Sequence, residues 1–158
     1  MDFDDLAFLF ALAAAIHNLE EALLAPGWIR RTGFRIDDYC KPEFRFAVMA
    51  FTLGGFVLAG LASAGFVAPT YLLCGLAVAM AINAIAPHLA MTLFMRVYTP
   101  GTATGLLLVL PAALFLVRAA LGEERIVWAT FWWAAPATAL GALAAIPLLL
   151  ALGRRIAR

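Results

Sequence analysis

The sequence predicts an all-α protein, built as a five-helix transmembrane bundle. Hydrophobic residues make up 65% of the 158 residues and charged residues only 13%, whereas soluble domains average about 45–50% apolar and about 25% charged residues. The mean hydropathy is +0.96. Five apolar segments, each close to or above the roughly 20 residues that cross a bilayer, are separated by short polar connections. The length therefore accommodates one integral membrane domain, residues 1–158, without a second soluble domain.

Turn and charge signals set the limits of the predicted spans, which cover residues 5–24, 43–65, 69–97, 102–121 and 126–152. The first span is followed by Pro26-Gly27, a helix stop signal. The third is followed by Tyr98-Thr99-Pro100-Gly101, which has the composition of a turn. The N-terminus is acidic, whereas a cleaved signal peptide begins with positive charge. We therefore expect the first segment to remain as a permanent span.

Small residues and tryptophans indicate how the later spans pack. Gly54, Gly55 and Gly60 in the second span favour close helix contacts, and these contacts form either within one chain or between the chains of a homo-oligomer. Gly101 and Gly105, four residues apart, favour close packing at the start of the fourth span. Three tryptophans open the fifth span, as in an aromatic belt at the membrane interface.

The distribution of basic residues predicts the orientation of the bundle. Five spans place the two termini on opposite sides, and nine of the eleven lysines and arginines then fall on one side. The positive-inside rule assigns that side to the cytoplasm. We expect an N-terminus outside and a cytoplasmic C-terminus, in the bacterial inner membrane and among membrane lipids. No basic run is long enough to favour a nucleic-acid partner.

A cluster of ionisable residues, His17, Glu20 and Glu21, interrupts the first apolar span. At about 100° per residue, Glu20 is rotated by about −60° and Glu21 by about +40° from His17. Both carboxylates therefore flank the imidazole on one sector of the helix. Because each charged side chain costs about 2.5–3.5 kcal/mol at the centre of a spanning helix, these groups require partners.

Other polar residues are predicted at a similar depth. Asn83 and His88 lie in the third span, and Tyr98 follows it. On a straight helix Asn83 and His88 are separated by about 140°, so they share a face only if Pro87 kinks or bulges the helix. We expect these groups and the first-span cluster to face a common cavity on the cytoplasmic side of the bundle.

Three kinds of partner would stabilise the two carboxylates. The first is a divalent metal, Zn²⁺ or Fe²⁺, completed by neutral imidazoles. The predicted metal ligands are His17, Glu20, Glu21 and His88. The second is an ion pair with Arg45 or Arg96, which both enter from the cytoplasmic side. The third is a proton shared between the two glutamates.

The sequence His17-Asn18-Leu19-Glu20-Glu21, placed inside the first span, resembles the signature of the HXXEE family of small polytopic membrane proteins. His88 and the Tyr98–Gly101 turn are also similar to the pattern of that family. The resemblance implies an enzyme whose reaction is unassigned. It therefore indicates a site and not an activity.

The residues favour a metal-dependent membrane enzyme that acts on a lipid-like substrate entering from the cytoplasmic leaflet. An open coordination position on the metal would activate water or polarise a substrate oxygen. The candidate catalytic residues are Glu20, Glu21 and Tyr98, with one glutamate as general base. The candidate substrate-binding residues are Asn83, Arg45 and Arg96.

Two alternatives remain open from the sequence. The first is a metal-independent isomerase or cyclase in which the glutamates and histidines move protons on an isoprenoid-like substrate. The second is a proton-coupled carrier, because ionisable groups inside spans also mark transport pathways. The carrier is disfavoured because the chain shows no inverted repeat and the outer half of its spans is almost devoid of polar residues.

Overall fold

The computed structural model describes residues 1–33 and 42–156, and these are all-α. They include five helices that are long and apolar enough to cross a membrane, which confirms the predicted class and number of spans. These helices are α1 (Phe3–Thr32), α2 (Pro42–Ser63), α3 (Val67–Met95), α4 (Thr102–Gly122) and α5 (Trp128–Ile156). The orientation across the membrane and the single-domain organisation remain predictions.

Helix α1 is longer than predicted, because Pro26 does not end it. The helix continues to Thr32, and Gly33 ends it with a left-handed φ of 68° while donating its N–H to the Ile29 carbonyl at 2.9 Å. A proline inside a helix costs about 3 kcal/mol, and burial of the large Trp28 side chain beyond it, only 6% exposed, favours continuation. His17 consequently lies near the middle of a 30-residue helix, and not near its end.

Helix α3 is interrupted. It is α-helical over Val67–Asn83 and again over Ala90–Met95, and a π-helical stretch, Ala84–Leu89, separates the two parts. Ala86 has extended backbone angles of φ −130° and ψ 106°, as is usual for the residue before a proline. The Ala86–Pro87 peptide bond is cis. The interruption changes the direction in which the last turns of α3 present their side chains.

The core lies where α1, α3 and α4 meet. Its largest fully buried apolar side chains include Phe3, Phe10, Leu73 and Leu116, and alanines between them let the helices approach closely. Helix α1 packs against α2 and α4, and α3 packs against α4 and α5. Helix α5 also contacts α2 but directs most of its leucines and tryptophans outward, as a lipid-facing helix does.

Gly75 provides the close contact between α3 and α5. A Cβ added at Gly75 would lie 2.7 Å from both Cβ and Oγ1 of Thr138. We expect Gly75→Ala to destabilise the bundle by about 1–3 kcal/mol, the usual cost of overpacking. The matched control is Gly141→Ala on α5, where a Cβ meets nothing within 4 Å. Reversible unfolding in mixed SDS micelles measures both variants, and equal stabilities would contradict this account of the contact.

Candidate metal centre

Side chains from α1, α3 and α4 converge at the end of the bundle where α3 ends and α4 begins. The rings of His17 and His88 are 4.9 Å apart, centroid to centroid, and nearly perpendicular at 88°. Asn83 Nδ2 lies 3.4 Å from His17 Nε2. The interruption at Ala86 thus allows Asn83 and His88 to reach the same imidazole, although a straight helix would point them apart.

His17, Glu21 and His88 form a group that can hold a metal ion; we call it the metal-ligand group. One ligand atom from each lies within 4.8 Å of the others. Two atoms that bind one ion at about 2.0–2.2 Å are at most about 4.4 Å apart, so a small side-chain shift would suffice for binding. His17 and His88 are only 1% and 5% exposed, which leaves Glu21 as the most accessible member.

The position of His88 supports this interpretation. Its Nε2 lies 3.0 Å from Glu21 Oε1, but not in hydrogen-bonding geometry, and neither ring nitrogen has a hydrogen-bond partner among the described residues. A buried polar atom without a partner costs about 1–3 kcal/mol. His88 is therefore a buried imidazole beside the Glu21 carboxylate, and its ring nitrogens accept no hydrogen bond from the described residues that would compete with a ligand.

Glu20 is outside the metal-ligand group, although the predicted set of four ligands includes it. The Tyr98 hydroxyl donates a hydrogen bond to Glu20 Oε1, and the Thr104 hydroxyl donates to Glu20 Oε2 at 2.6 Å. The reason is rotational: Glu20 and Glu21 lie on opposite sides of His17 on the helix. The Glu20 carboxylate consequently turns toward the start of α4, and the Glu21 carboxylate turns toward His88.

Thr104 connects Glu20 to His17. Its Oγ1 lies 3.2 Å from His17 Nδ1. A hydroxyl has one hydrogen and an ionised carboxylate only accepts, so the Thr104 hydrogen points to Glu20 and Oγ1 accepts from His17 Nδ1–H. This chain of hydrogen bonds selects the tautomer of neutral His17 whose Nε2 carries the lone pair, and that lone pair faces Asn83 Nδ2. Metal-binding histidines are held in this way by partners on their other nitrogen.

Two glycines at the start of α4 cover the imidazoles. A Cβ added at Gly101, whose φ is +91°, would lie 2.8 Å from Cε1 of both His17 and His88. A Cβ added at Gly105 would lie 2.9 Å from the Cβ of Ala84 and 3.5 Å from His17 Cε1. The two histidines therefore fit under backbone that only glycine leaves free.

Thr104, Gly101 and Gly105 were not predicted as site residues. The spacing of the two glycines indicated close packing, without showing that the packing partners are histidines. Thr104 is a hydroxyl residue one turn into the fourth span, at the depth of the cluster. A search for hydroxyl residues at that depth in the predicted spans would have identified Thr104.

Tyr98 lies at the exposed edge of the site, with 46% of its surface accessible. Its hydroxyl accepts a hydrogen bond from the Ala103 N–H at 3.1 Å while donating to Glu20. Partial burial, together with the Glu20 carboxylate, raises the pKa of Tyr98 above its usual value. The phenol therefore stays protonated at neutral pH and keeps its role as a donor.

Arg45 and Arg96 do not neutralise the carboxylates. Both are exposed, and among the described residues neither forms an ion pair with Glu20 or Glu21. The described part of the chain therefore gives no support to the alternative in which these arginines satisfy the two glutamates. Their role in substrate binding remains a prediction.

The described residues line a larger and a smaller cavity, and the metal-ligand group lines neither of these. The larger is a groove of about 570 Å³ between α3 and α4. The smaller lies beside Asn18, which donates a hydrogen bond to Thr52 Oγ1 at 2.9 Å and so joins α1 to α2. The cavity expected at the site is not one of these two. The accessible edge of the site lies instead at Glu20, Glu21 and Tyr98.

Comparisons with known proteins agree with the motif. Residues 8–116 match the family model described as a protein of unknown function with HXXEE motif, a range that includes every site residue named above. The chain is also 33% identical over 153 residues to "Uncharacterized protein YrkK" of Bacillus subtilis (strain 168), covering 93% of this chain and 94% of that protein. No solved structure matches the chain.

Proposed function

This chain belongs to the HXXEE family, and from the geometry of its cluster we propose that it is a metal-dependent integral membrane enzyme. One observation carries the proposal: two buried imidazoles and a carboxylate, from helices far apart in sequence, bring their ligand atoms within 4.8 Å of one another. Such a set is costly inside an apolar bundle unless a ligand satisfies it.

The donor set fits a divalent ion. Two histidines and one glutamate are the protein ligands of several catalytic zinc sites, in which a fourth position stays open. Two histidines and one carboxylate also bind non-haem Fe²⁺. We propose Zn²⁺ or Fe²⁺ at His17, Glu21 and His88. When bound, either ion would activate water or polarise a substrate oxygen.

The residues around the metal-ligand group supply positioning and proton transfer. Glu20 and Thr104 hold the His17 ring by the chain of hydrogen bonds described above. Glu20 also receives the Tyr98 hydroxyl hydrogen at the accessible edge, where a carboxylate and a phenol can pass a proton to or from a substrate. Glu20 is therefore the general base of the proposal, and Tyr98 its hydrogen-bonded partner.

We propose a lipid-like substrate that reaches this edge from the surrounding bilayer. Asn83, beside His17 Nε2, would contact the part of the substrate nearest the metal-ligand group. Arg45 at the start of α2 and Arg96 at the end of α3 are exposed at the same end of the bundle, where they would bind a polar or anionic headgroup. With the positive-inside orientation, this end faces the cytoplasm of a bacterial inner-membrane protein.

A metal-independent acid–base enzyme is the second candidate. The hydrogen bond between Tyr98 and Glu20 favours it, because that pair forms a potential proton donor and acceptor without an ion. Chelation distinguishes the two candidates. Activity of the purified chain that survives removal of all divalent metal would support the acid–base enzyme and contradict the metal-dependent one.

The experiment combines elemental analysis with a lipid assay. The full chain, purified in detergent, is expected to carry about one equivalent of Zn²⁺ or Fe²⁺, and His88→Gln is expected to lose it. The matched control is Asn18→Ala, which removes a buried polar group of α1 next to His17 but outside the metal-ligand group. Wild-type protein without metal, or His88→Gln with wild-type metal content, would contradict the proposal.

The lipid assay tests the catalytic part of the proposal. The metal-loaded protein is incubated with a bacterial total lipid extract, and the products are followed by mass spectrometry. We expect a change in lipid mass that is absent with His88→Gln and absent after chelation. A metal-loaded wild type that leaves every lipid unchanged would support a binding role for the metal centre in place of an enzymatic one.

Thr104 offers a specific prediction for the chain of hydrogen bonds. Thr104→Val removes the hydroxyl and keeps the shape of the side chain, whereas Thr104→Ser keeps the hydroxyl. Because loss of an outer partner of a metal ligand costs about 10–100-fold in metal affinity, the valine variant should bind metal that much more weakly. Competition with a chromophoric chelator measures the affinity, and equal affinities in the two variants would show that the hydroxyl does not position His17.

A further inference from the structure

The groove between α3 and α4 is a second feature of the bundle, separate from the metal-ligand group. It has a volume of about 570 Å³, within the range of about 300–1,000 Å³ typical of ligand pockets. Small side chains, Ala81 and Ala113, contribute to its lining, and it extends along α4 from Leu110 to Leu121. All of its lining residues are apolar except Arg118.

The length of the groove matches one leaflet of a membrane. The distance along α4 from Leu110 to Leu121 is about 16 Å at 1.5 Å per residue. This is about half of the 30 Å hydrocarbon core of a typical bilayer. Because α4 ends at Gly122, the groove begins near the end of the span and reaches toward its middle. A single acyl chain of a lipid in one leaflet covers the same depth.

Arg118 is the feature that distinguishes this groove from an ordinary lipid-facing surface. It lies one turn from the end of α4, is exposed, and has no ion-pair or hydrogen-bond partner among the described residues. Arg125 at the same end is different, because it contacts Asp4 and Glu123 at 3.5 Å and lies over the ring of Phe3. The charge of Arg118 is thus available to a ligand in the groove.

We propose that this groove binds an anionic phospholipid, with one acyl chain along α3 and α4 and the phosphate group on Arg118. The apolar lining accommodates the chain, and the free guanidinium recognises the phosphate oxygens, for which its planar fork is suited. The site is independent of the metal centre and of the proposed enzymatic activity. It lies on the other half of the bundle from the exposed edge at Tyr98.

Native mass spectrometry of the full chain tests the proposal. Protein is released from nanodiscs that contain equal amounts of phosphatidylglycerol and phosphatidylcholine, and the lipids that remain bound are identified. We expect phosphatidylglycerol to be enriched about fivefold, the effect of one arginine near an anionic headgroup. Arg118→Gln should abolish the enrichment, and Arg155→Gln, a control at an exposed arginine of α5, should preserve it.

A second variant tests the acyl-chain part of the site. Ala81→Phe places a ring in the groove, and we expect fewer bound lipids of both kinds while Arg118 remains. Thermal unfolding verifies that both variants are folded. Three outcomes would overturn the proposal: a wild type that does not favour phosphatidylglycerol, an Arg118→Gln protein that keeps the preference, or a folded Ala81→Phe protein that retains its lipids.

Discussion

Glu21→Gln is expected to abolish tight binding of the divalent metal, whereas Glu20→Gln, one residue away, should only weaken it. Glu21 belongs to the metal-ligand group, so the amide removes a ligand and its negative charge together. Glu20 contacts Tyr98 and Thr104 instead, and loss of such an outer partner costs about 10–100-fold in affinity. We expect the loss of metal affinity in Glu21→Gln to be larger than the loss in Glu20→Gln.

The contrast between adjacent carboxylates makes the measurement specific. Both variants remove one carboxylate from the same turn of α1, so a general effect of lost charge would reduce metal binding equally. Isothermal titration of the chelator-treated protein gives both affinities, and thermal unfolding verifies the fold. A larger loss with Glu20→Gln than with Glu21→Gln would reverse the assignment of ligand and outer partner.

Gly101→Ala is expected to have the largest effect on stability. The new Cβ would lie 2.8 Å from both imidazoles, at a residue whose φ is +91°. Left-handed backbone costs a non-glycine residue about 1–2 kcal/mol, and overpacking adds about 1–3 kcal/mol. Together the two effects predict that the free energy of unfolding falls by about 2–5 kcal/mol. We also expect metal binding to be lost, because the histidines must move.

Gly65→Ala separates the two effects. Gly65 has a φ of +86°, close to that of Gly101, but a Cβ added there meets nothing within 4 Å. The Gly65→Ala variant should therefore lose only the stability that left-handed backbone costs a non-glycine residue, and it should retain full metal binding. Unfolding in mixed micelles and metal titration measure both quantities. If Gly101→Ala behaves like Gly65→Ala in both, the glycine does not cover the histidines as the structure describes.

Much of the fold follows from the sequence, because helices in a bilayer are determined by length and apolar composition. Five long apolar segments predicted five spanning helices, and the described part of the chain has five that are long and apolar enough to cross a membrane. The end of α1 was missed because Pro26 normally stops a helix. Burial of Trp28 against the rest of the bundle is a tertiary effect, and local signals do not contain it.

The candidate site was predictable where it depends on one helix and unpredictable where it depends on two. Helical rotation placed Glu20 and Glu21 on either side of His17, and the structure gives them separate partners for that reason. Which carboxylate meets His88 depends on the interruption at Ala86, and the part played by Thr104 depends on the rotation of α4 about its own axis. Periodicity along a single segment specifies neither.

X-ray absorption spectroscopy of the metal-loaded, purified chain tests the central claim, that His17, Glu21 and His88 bind one divalent ion, most directly. We expect two imidazole ligands and at least one oxygen ligand at about 2.0–2.2 Å from the metal. We also expect His17→Ala and His88→Ala each to remove one imidazole contribution or the metal itself. A spectrum with no imidazole, or an unchanged spectrum in either variant, would contradict the claim.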